Sequence, residues 1–433
     1  MLDIRLIREN PDTVRDNLAR RHDHDKESLL DQLIEDDAKW RELTGVVNGL
    51  RRRRNEISSE IANVMREGED ASSLREEAAK IPKQIVDAET ERDQHGGNVR
   101  TALMQLPNML HESVPYGLDD GDNIEIRKVG SHPVFDFEPK SHADIATDLG
   151  LLDLERAAKV SGAGFYYLRN ELALLDYAIM HFAINRLLKK GFTLIEPPYM
   201  IRRKPYEGVT DLADFESVMY KIEGEDLYLI ATSEHAMGSM LMDEVINAED
   251  LPLRFCGVSP CFRKEIGTHG RYTKGLFRVH QFNKIEQFVF SLPEQSWAIH
   301  EELQQNSEEL YQELGLYYRI VNVCTGDLGS IAAKKYDTEV WMADEEFREV
   351  GSNSNCTDYQ ARRLNIRYRM KEGQAPAGFV HTLNNTALAT SRTMIAVLEQ
   401  YQQADGSVVI PEVLRPYMSG LDVIKGTLNP IKI

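Results

Sequence analysis

The stretch that decides the fold runs from residue 253 to residue 289 and reads LRFCGVSPCFRKEIGTHGRYTKGLFRVHQFNKIEQFV. Its flanks carry the β-branched and aromatic residues typical of strands, and its middle is Gly-rich and basic. These features predict a long antiparallel hairpin with a mobile cationic loop. Because side chains on a strand alternate between two faces, the return strand is expected to place five residues on one face: Arg278, His280, Phe282, Lys284 and Glu286.

That row joins cations, an aromatic ring and a carboxylate. It suits a ligand that combines phosphate, a flat base and an ammonium group. The plainer alternative is an amphipathic strand with a solvated polar face. The Phe-Arg-Lys-Glu start and the Gly-rich basic loop favour the ligand.

Two segments of the stretch resemble motif 2 of the class II aminoacyl-tRNA synthetases. They are Phe262–Glu265, which reads FRKE, and His280–Glu286, which reads HQFNKIE. The His-Gln-Phe and Lys-Ile-Glu spellings are similar to those of the seryl-tRNA synthetase family in particular. In the loop, Tyr272 and Lys274 stand where Asp and Arg are more usual, a departure that leaves the class assignment unaffected.

Composition and charge narrow the class of protein. The chain has 433 residues, of which 42% are apolar and 28% charged, and its net charge is -19. Such a chain is expected to form two or three soluble domains, and a nucleic-acid role would need a local basic patch. No apolar run approaches the roughly 20 residues of a membrane span, and the charged N-terminus does not resemble a signal peptide.

The cysteines argue against a disulfide-rich or zinc-binding protein, and the absence of two nucleotide-binding motifs argues against the folds that contain them. Cys256, Cys261, Cys324 and Cys356 fit a reduced cytoplasmic protein better than a disulfide framework or a zinc site. No G-x-x-x-x-G-K-[ST] or G-x-G-x-x-G pattern occurs, so P-loop and dinucleotide-binding folds lose support.

The N-terminal quarter predicts an antiparallel helical hairpin. Apolar residues recur at helical spacing from Leu29 to Val64 and again from Leu74 to Leu106, with a break at residues 68–70. We expect Pro82 to start or kink the second helix and Gly96-Gly97 to loosen it.

The charge of this hairpin is uneven. Residues 38–66 carry seven basic and three acidic side chains, a net charge of +4 in an acidic protein. Four consecutive arginines cover every face of one helical turn: Arg51, Arg52, Arg53 and Arg54. From the residues alone, a solvated surface with intrahelical ion pairs and a phosphate-binding arm are equally supported. The resemblance implies the second, because the family has a tRNA-binding coiled-coil arm here.

A Pro-punctuated linker, Leu106–Gly117, is similar to the family's junction between arm and catalytic domain. We therefore expect an arm domain over residues 1–117 and a catalytic domain over residues 118–433. Residues 191–200, GFTLIEPPYM, read as a helix stop, a strand and a rigid turn. They resemble motif 1, which in class II enzymes packs at the dimer interface and so implies a homodimer.

Three further segments carry candidate site residues. Thr232-Ser233-Glu234 could cap the next helix, and in the family it helps to hold the amino acid. Glu349 and Ser352 offer hard oxygen ligands of the kind that Mg²⁺ accepts beside phosphate and water; the alternative is a polar strand-to-loop junction. Residues 379–392 resemble motif 3, with Arg392 as its arginine. There Asn384-Asn385-Thr386 replaces the usual Asn-Gly-Ser.

An arginine at a helix start opposes the helix dipole, which favours cations at the C-terminus. An anionic ligand near Arg392 would resolve that conflict.

The resemblance spans the whole chain and implies an α+β fold, with a mixed, mainly antiparallel sheet flanked by helices. It implies that ATP, Mg²⁺, L-serine and tRNA(Ser) bind; whether tRNA(Sec) is also a substrate stays open. Arg263 should hold the α-phosphate, Arg392 the γ-phosphate, and both are the implied catalytic residues. The full ATP-binding set is Arg263, Lys264, Glu265, Arg278, Val279, Phe282, Glu349, Val350, Gly351, Ser352 and Arg392.

Within that set, Glu265 should meet the adenine edge, Phe282 should stack on adenine, and Glu349 with Ser352 should hold Mg²⁺. The implied serine-binding residues are Thr232, Ser233, Glu234, Glu286 and Thr386. Two other functions remain open: an amino-acid:carrier-protein ligase, and a non-catalytic coiled-coil interaction protein of the same fold. The arm argues against the first, and the intact motif 2 and motif 3 arginines argue against the second.

Overall fold

The computed structural model describes residues 1–210, 218–265 and 275–426. The chain divides into two compact units, Met1–Pro107 and Asn108–Ile433. The linker residues Asn108 and His111 donate backbone hydrogen bonds to Ser330 and Ala333 of the second unit. A domain boundary near Gly117 stays a prediction. The predicted cationic loop, residues 266–274, lies outside the described residues.

The first unit is helical, and its two long helices pack as an antiparallel hairpin. Its helices are α1 (Ile4–Glu9), α2 (Pro11–Arg20), α3 (Asp25–Arg66) and α4 (Ser72–Gln105). Apolar residues of both long helices form the seam, which contains Leu50, Ile57, Ile61, Leu74, Ala78, Ile81 and Ile85. The predicted hairpin and its break at residues 68–70 are confirmed.

Pro82 does not start the second helix, so that alternative of the prediction is wrong. A kink at Pro82 and loosening at Gly96-Gly97 stay predictions. The helix begins at Ser72 and continues through Pro82 and Gly96-Gly97. Pro82 is exposed, so water can satisfy the carbonyl that loses its N–H partner. A Cβ on Gly96 would lie 3.0 Å from Trp40 Nε1. This glycine therefore permits close contact between the two helices.

A buried carboxylate fixes α1 against α3. Arg8 donates to both oxygens of Asp37, at 2.7 and 2.9 Å, and Arg41 donates at 3.0 Å. Burial alone would raise the pKa of Asp37, but the hydrogen bonds and charge of Arg8, together with Arg41, hold that pKa below its usual value. The folded unit therefore favours the ionised carboxylate.

The second unit is built on a sheet of eight strands. Its neighbours run in the order β1-β10-β11-β12-β15-β9-β8-β4. Every pair is antiparallel except β4 with β8, so the predicted α+β fold with a mainly antiparallel sheet is confirmed. The strands are β1 (Ile124–Val129), β2 (Leu152–Asp153), β3 (Tyr167–Leu168), β4 (Thr193–Ile195), β5 (Met200–Ile201), β6 (Tyr228–Leu229), β7 (Val245–Asn247), β8 (Leu253–Phe262), β9 (Gln281–Ser291), β10 (Tyr318–Asn322), β11 (Lys334–Trp341), β12 (Phe347–Asn355), β13 (Arg367–Arg369), β14 (Gly378–Phe379), β15 (His381–Ala389), β16 (Val408–Val409) and β17 (Val423–Ile424).

Helices cover the sheet and its rim. They are α5 (His142–Asp148), α6 (Leu154–Ser161), α7 (Asn170–Lys189), α8 (Arg203–Val209), α9 (Ser233–Ser239), α10 (Ser296–Glu313), α11 (Tyr359–Leu364) and α12 (Thr390–Gln400). The main core joins α7, α10 and α12 to the odd-numbered residues Ile285 and Val289 of β9. On the other face, Phe288 and Phe290 join a second core with α8, α9 and α11. None of the helices in the described ranges is both long and apolar enough to cross a membrane.

The predicted hairpin is confirmed over ten residue pairs, from Leu253↔Phe290 to Phe262↔Gln281. The prediction that Arg278 and His280 share its polar face is wrong, because β9 begins at Gln281. The backbone N–H of His280 bonds instead to the Gly164 carbonyl. From residue 282 onward the even-numbered side chains do share a face.

We predict that Asp37→Asn weakens the first unit. Loss of the charged pairing in a buried position should lower the local unfolding free energy of α1 by about 2 kcal/mol at pH 7. Because the folded-state pKa is depressed, this stabilisation is present above the unfolded pKa of about 3.9 and is lost as pH falls through the folded-state pKa. Native-state hydrogen exchange of α1 amides measures it.

Asp31→Asn is the matched control, since Asp31 pairs with Arg15 on the exposed surface and such pairs contribute little. Equal loss of protection in both variants would contradict a special role for Asp37.

Candidate active site

A cavity of about 240 Å³ opens on the sheet face formed by β9, β11, β12 and β15. It brings together most of the residues that the sequence predicts for ATP, metal and serine. The predicted residues in its wall are Thr232, Glu234, Arg263, Glu265, Val279, Phe282, Glu286, Glu349, Val350, Gly351, Ser352, Thr386 and Arg392.

Three predicted residues do not belong to that wall. Ser233 has a buried Oγ with no hydrogen-bond partner in the described part of the chain; its Oγ would lie 2.8 Å from a Cβ on Gly257, so it packs beneath β8. Arg278 lies 3.5 Å from the Glu265 carboxylate. The backbone N–H of Lys264 bonds to the Val218 carbonyl. The cavity gives no support to their predicted binding roles, which stay predictions.

Two arginines of the cavity wall, Arg263 and Arg392, can bind an anion. Arg392, in the first turn of α12, donates from Nη1 to the Glu349 backbone carbonyl at 2.7 Å. Its guanidinium carbon lies 4.8 Å from the centre of the Phe277 ring. Arg263 donates to the Ala231 carbonyl at 3.4 Å and lies 5.3 Å from the Phe282 ring centre. Since a guanidinium has five donors, both retain N–H groups for an anion.

A β-bulge places Glu349 and Ser352 on the same side of β12. Residues three apart on a regular strand face opposite ways. Here Gly351 pairs with Thr338 and Glu349 with Glu339, so Val350 is the extra residue. The Ser352 hydroxyl consequently donates to Glu349 Oε1 at 3.3 Å.

The charges around Glu349 keep it ionised. Desolvation would raise its pKa, but Arg392, then Lys335 and Arg263, hold the pKa of Glu349 below its usual value. Lys335 Nζ lies 3.1 Å from the buried Asp337 carboxylate. Burial raises the pKa of Asp337 to about 7, although Lys335 opposes that shift.

This corner fits Mg²⁺ bound beside phosphate. An ionised carboxylate and an adjacent hydroxyl are hard oxygen ligands. Within residues 1–210, 218–265 and 275–426, no three His, Cys, Asp or Glu side chains are arranged to hold a metal ion. A cation here would therefore complete its coordination with phosphate oxygens and water, as Mg²⁺ does.

Two carboxylates of the cavity wall, Glu234 and Glu286, form its acidic part. Thr232 caps α9 by accepting from the Glu234 N–H at 3.2 Å, which confirms the predicted N-cap and fixes Glu234 at the cavity wall. Asn384 donates to Glu234 Oε1 at 3.1 Å. Burial and then the charge of Glu286 raise the pKa of Glu234 to about 7.

Glu286 is buried in a polar cluster on the same side. Lys284 forms an ion pair with it, and Thr386 donates to Glu286 Oε2 at 3.3 Å. Burial raises the pKa of Glu286, although Lys284 opposes the shift. A cationic ligand bound between Glu234 and Glu286 would favour the ionised form of both.

Sequence reasoning assigned no role to seven wall residues: Phe277, Lys284, Lys335, Ser354, Asn384, Ala389 and Ser391. Lys284 was predicted on the polar face of β9 and lies there. Lys335 pairs with Ser354 across β11 and β12, outside any motif used for the assignment. Lys335 and Asp337 are two residues apart in β11 and therefore lie on the same face. This pair of charged residues is the sequence signal that could have indicated Lys335.

The four arginines of α3 differ in their partners. Arg51 and Arg53 reach across the hairpin to Glu89 and Glu77 of α4, at 2.5 and 2.8 Å. Arg52 is 81% exposed and lies 3.7 Å from Glu56. Arg54 is exposed and has no ion pair among the described residues. Arg51 and Arg53 are therefore paired across the hairpin, whereas Arg52 and Arg54 present their cations to solvent without such a pair among the described residues.

Comparison with known proteins agrees with this geometry. The family described as the seryl-tRNA synthetase N-terminal domain matches residues 1–110, and the tRNA synthetase class II core domain (G, H, P, S and T) matches residues 218–401. The serine–tRNA ligase of Methanospirillum hungatei is 57% identical over 420 residues, which cover 97% of this chain and 99% of that protein.

Solved structures resemble the whole chain. The seryl-tRNA synthetase of Pyrococcus horikoshii complexed with ATP is 48% identical, with a TM-score of 0.95 over 98% of this chain and 99% of that one. The cytoplasmic serine–tRNA ligase of Naegleria fowleri in complex with AMP is 36% identical, with a TM-score of 0.90 over 99% of each chain. The chain belongs to the seryl-tRNA synthetase family of class II aminoacyl-tRNA synthetases.

Proposed function

We propose that this chain is a serine–tRNA ligase that uses ATP to form seryl-adenylate and transfers the seryl group to the 3′ end of tRNA(Ser). The observation that carries the proposal is a single cavity lined by the arginines Arg263 and Arg392 and by the carboxylates Glu234, half-buried, and Glu286, buried. The arginines complement the phosphates of ATP, and the carboxylates complement the ammonium of serine.

In the first step, a carboxylate oxygen of serine attacks the α-phosphorus of ATP. The bond to the β-phosphate breaks, and pyrophosphate leaves with its electron pair. Such a reaction depends on positioning and charge stabilisation. Arg263 stabilises the charge that develops on the α-phosphate, and Arg392 holds the γ-phosphate. Phe282 supplies a ring for adenine and Glu265 meets its edge.

Glu349 and Ser352 would hold Mg²⁺, which when bound neutralises phosphate charge and orients the triphosphate. Arg392 contributes to the same corner through its bond to the Glu349 carbonyl. This bond keeps the guanidinium next to the carboxylate that binds the metal.

Serine is recognised at the acidic part of the cavity. Glu234 and Thr232 hold its ammonium, and Glu286 with Thr386 bonds its hydroxyl. Lys284 donates to Thr386 Oγ1 at 3.4 Å, so the Thr386 proton is directed to Glu286. Lys284 and Thr386 both contact Oε2 of Glu286, and Oε1 is the oxygen proposed to accept from the hydroxyl of serine.

In the second step, the terminal ribose hydroxyl of tRNA attacks the carbonyl carbon of seryl-adenylate, and AMP leaves. The α3–α4 hairpin supplies phosphate contacts to tRNA through Arg52 and Arg54. We further propose a homodimer that uses the edge around β4, and a cytoplasmic location. tRNA(Sec) as a second substrate is part of the same proposal.

Serine-dependent ATP–pyrophosphate exchange, measured beside serylation of total tRNA, tests the proposed function. A carrier-protein ligase would show exchange without serylation, and a non-catalytic protein would show neither. The match of residues 1–110 to the seryl-tRNA synthetase N-terminal domain favours serylation.

We predict that Arg263→Ala reduces pyrophosphate exchange by at least about 100-fold, as loss of a transition-state donor does. Arg254→Ala is the control at the opposite end of β8, the strand that Arg263 follows, since Arg254 pairs with Glu302 outside the cavity. Near-normal exchange in folded Arg263→Ala would remove this residue from the mechanism.

We predict strong discrimination against alanine. A site that bonds the substrate hydroxyl leaves buried polar groups unpaired when the hydroxyl is missing, which lowers kcat/KM by roughly 10⁴-fold. Pyrophosphate exchange with serine and with alanine gives the ratio. Similar kcat/KM values would exclude Glu286 and Thr386 as hydroxyl readers.

We predict that Arg52→Gln with Arg54→Gln raises the KM for tRNA and flattens its salt dependence by about two units of slope. Exchange, which needs no tRNA, should be unchanged. The matched pair Arg51→Gln with Arg53→Gln removes the ion pairs to α4 and should mainly lower the hairpin's thermal stability. If the Arg52→Gln, Arg54→Gln double variant serylates tRNA normally at physiological salt, these two arginines are only part of a solvated surface.

A further inference from the structure

A buried histidine–carboxylate pair lies outside the cavity and has no part in the proposed mechanism. His142 begins α5 and Glu399 lies in the last turn of α12, and each is 1% exposed. His142 Nδ1 lies 2.8 Å from Glu399 Oε1. The same carboxylate accepts from the backbone N–H groups of His142, at 2.8 Å, and Ala343, at 2.7 Å.

The second ring nitrogen of His142 holds the chain near the motif 2 strand. The Leu276 N–H donates to Nε2 at 3.2 Å. A backbone N–H can only donate, so Nε2 is the acceptor and Nδ1 carries the proton that is donated to Glu399. The histidine thus links α12 to Leu276 in one defined tautomer.

Gly275 shows how close this contact is. A Cβ at that position would lie 2.4 Å from His142 Nε2, and its φ is +86°. Both the close approach and the left-handed backbone require glycine. The ring of His142 therefore lies directly against the backbone of residues 275–276.

Phe277, which follows Leu276, extends this set of contacts to the cavity wall. The Phe277 ring lies 4.8 Å from the guanidinium carbon of Arg392, and both line the cavity. Arg392 and Glu399 belong to the two ends of α12. One helix therefore contacts this segment twice, directly through Arg392 and indirectly through Glu399 and His142.

We propose that His142 is a positioning residue for the nucleotide-binding part of the site: by fixing Leu276 against α12, it holds Phe277 under Arg392 so that the guanidinium is preorganised for phosphate. The inference rests on the proposed function, because it assigns ATP to Arg392. It requires that loss of His142 affects ATP more than serine, because Phe277 contacts Arg392, which is proposed to bind ATP, whereas Thr232, Glu234 and Glu286 are proposed to bind serine.

The test compares His142→Leu, His142→Gln and Tyr401→Phe with the wild type in serine-dependent pyrophosphate exchange. We expect His142→Leu to raise the KM for ATP by roughly tenfold and to leave the KM for serine unchanged. Tenfold corresponds to the free-energy cost of immobilising a side chain on binding, which ATP would then have to meet for Phe277 and Arg392. Glutamine also offers one donor and one acceptor, so His142→Gln should stay within about threefold of the wild type.

Tyr401→Phe is the matched control, because it removes a buried bond to the Leu314 carbonyl at the end of α12 without touching residues 275–277. It should lower thermal stability and leave both KM values unchanged. Hydrogen exchange of a peptide spanning residues 275–280 should accelerate in His142→Leu and not in Tyr401→Phe.

Two results would overturn the inference: equal increases in both KM values, or faster exchange of residues 275–280 without a change in the KM for ATP. Either would reduce His142 to a fold-stabilising residue. Absence of serine-dependent exchange in the wild type would instead contradict the proposed function, so the two failures are distinguishable.

Discussion

The alternation of side chains along β9 is the constraint on which the catalytic unit depends. Two of its odd-numbered residues, Ile285 and Val289, are fully buried in the main core. Its even-numbered residues supply first the polar wall of the cavity and then Phe288 and Phe290 of the second core. A shift of one residue would exchange these faces. Pairing with β8 on one side and β15 on the other therefore fixes both the core and the site.

The charged side chains of the cavity differ in how far protein groups neutralise them. Both phosphate-facing arginines bond to backbone carbonyls, Arg263 to Ala231 and Arg392 to Glu349. A neutral acceptor orients a guanidinium without neutralising it. Arg392 also lies 3.7 Å from the Glu349 carboxylate, but its five donors leave N–H groups for a ligand. In the acidic part, Lys284 and Glu286 compensate each other. The arginines therefore suit a polyanion such as a triphosphate, whereas the mutually paired Lys284 and Glu286 suit a small zwitterion. Both groups line one cavity.

Much of this arrangement could be predicted because motif residues lie close in sequence or follow simple periods. The helical hairpin followed from the apolar spacing, and the β8–β9 hairpin from β-branched flanks around a Gly-rich middle. Interactions that depend on tertiary contacts could not be predicted. Gly96 was expected to loosen a helix, but Trp40 is what determines its role. Lys335 reaches the site from a strand without a recognised pattern. Arg51 pairs with Glu89 of another helix, and Arg53 pairs with Glu77 of that helix as well as with Glu60 of its own.

The bulge at Val350 has a consequence for how the sequence can change over evolution. Substitution of Val350 by another apolar residue would preserve the extra residue that turns Glu349 towards Ser352. Deletion of one residue would restore a regular ladder and rotate one of the two oxygen ligands to the opposite face of β12. Selection should therefore act more strictly on the number of residues in β12 than on the identity of residue 350. Among related sequences we expect substitutions at this position to be more frequent than deletions.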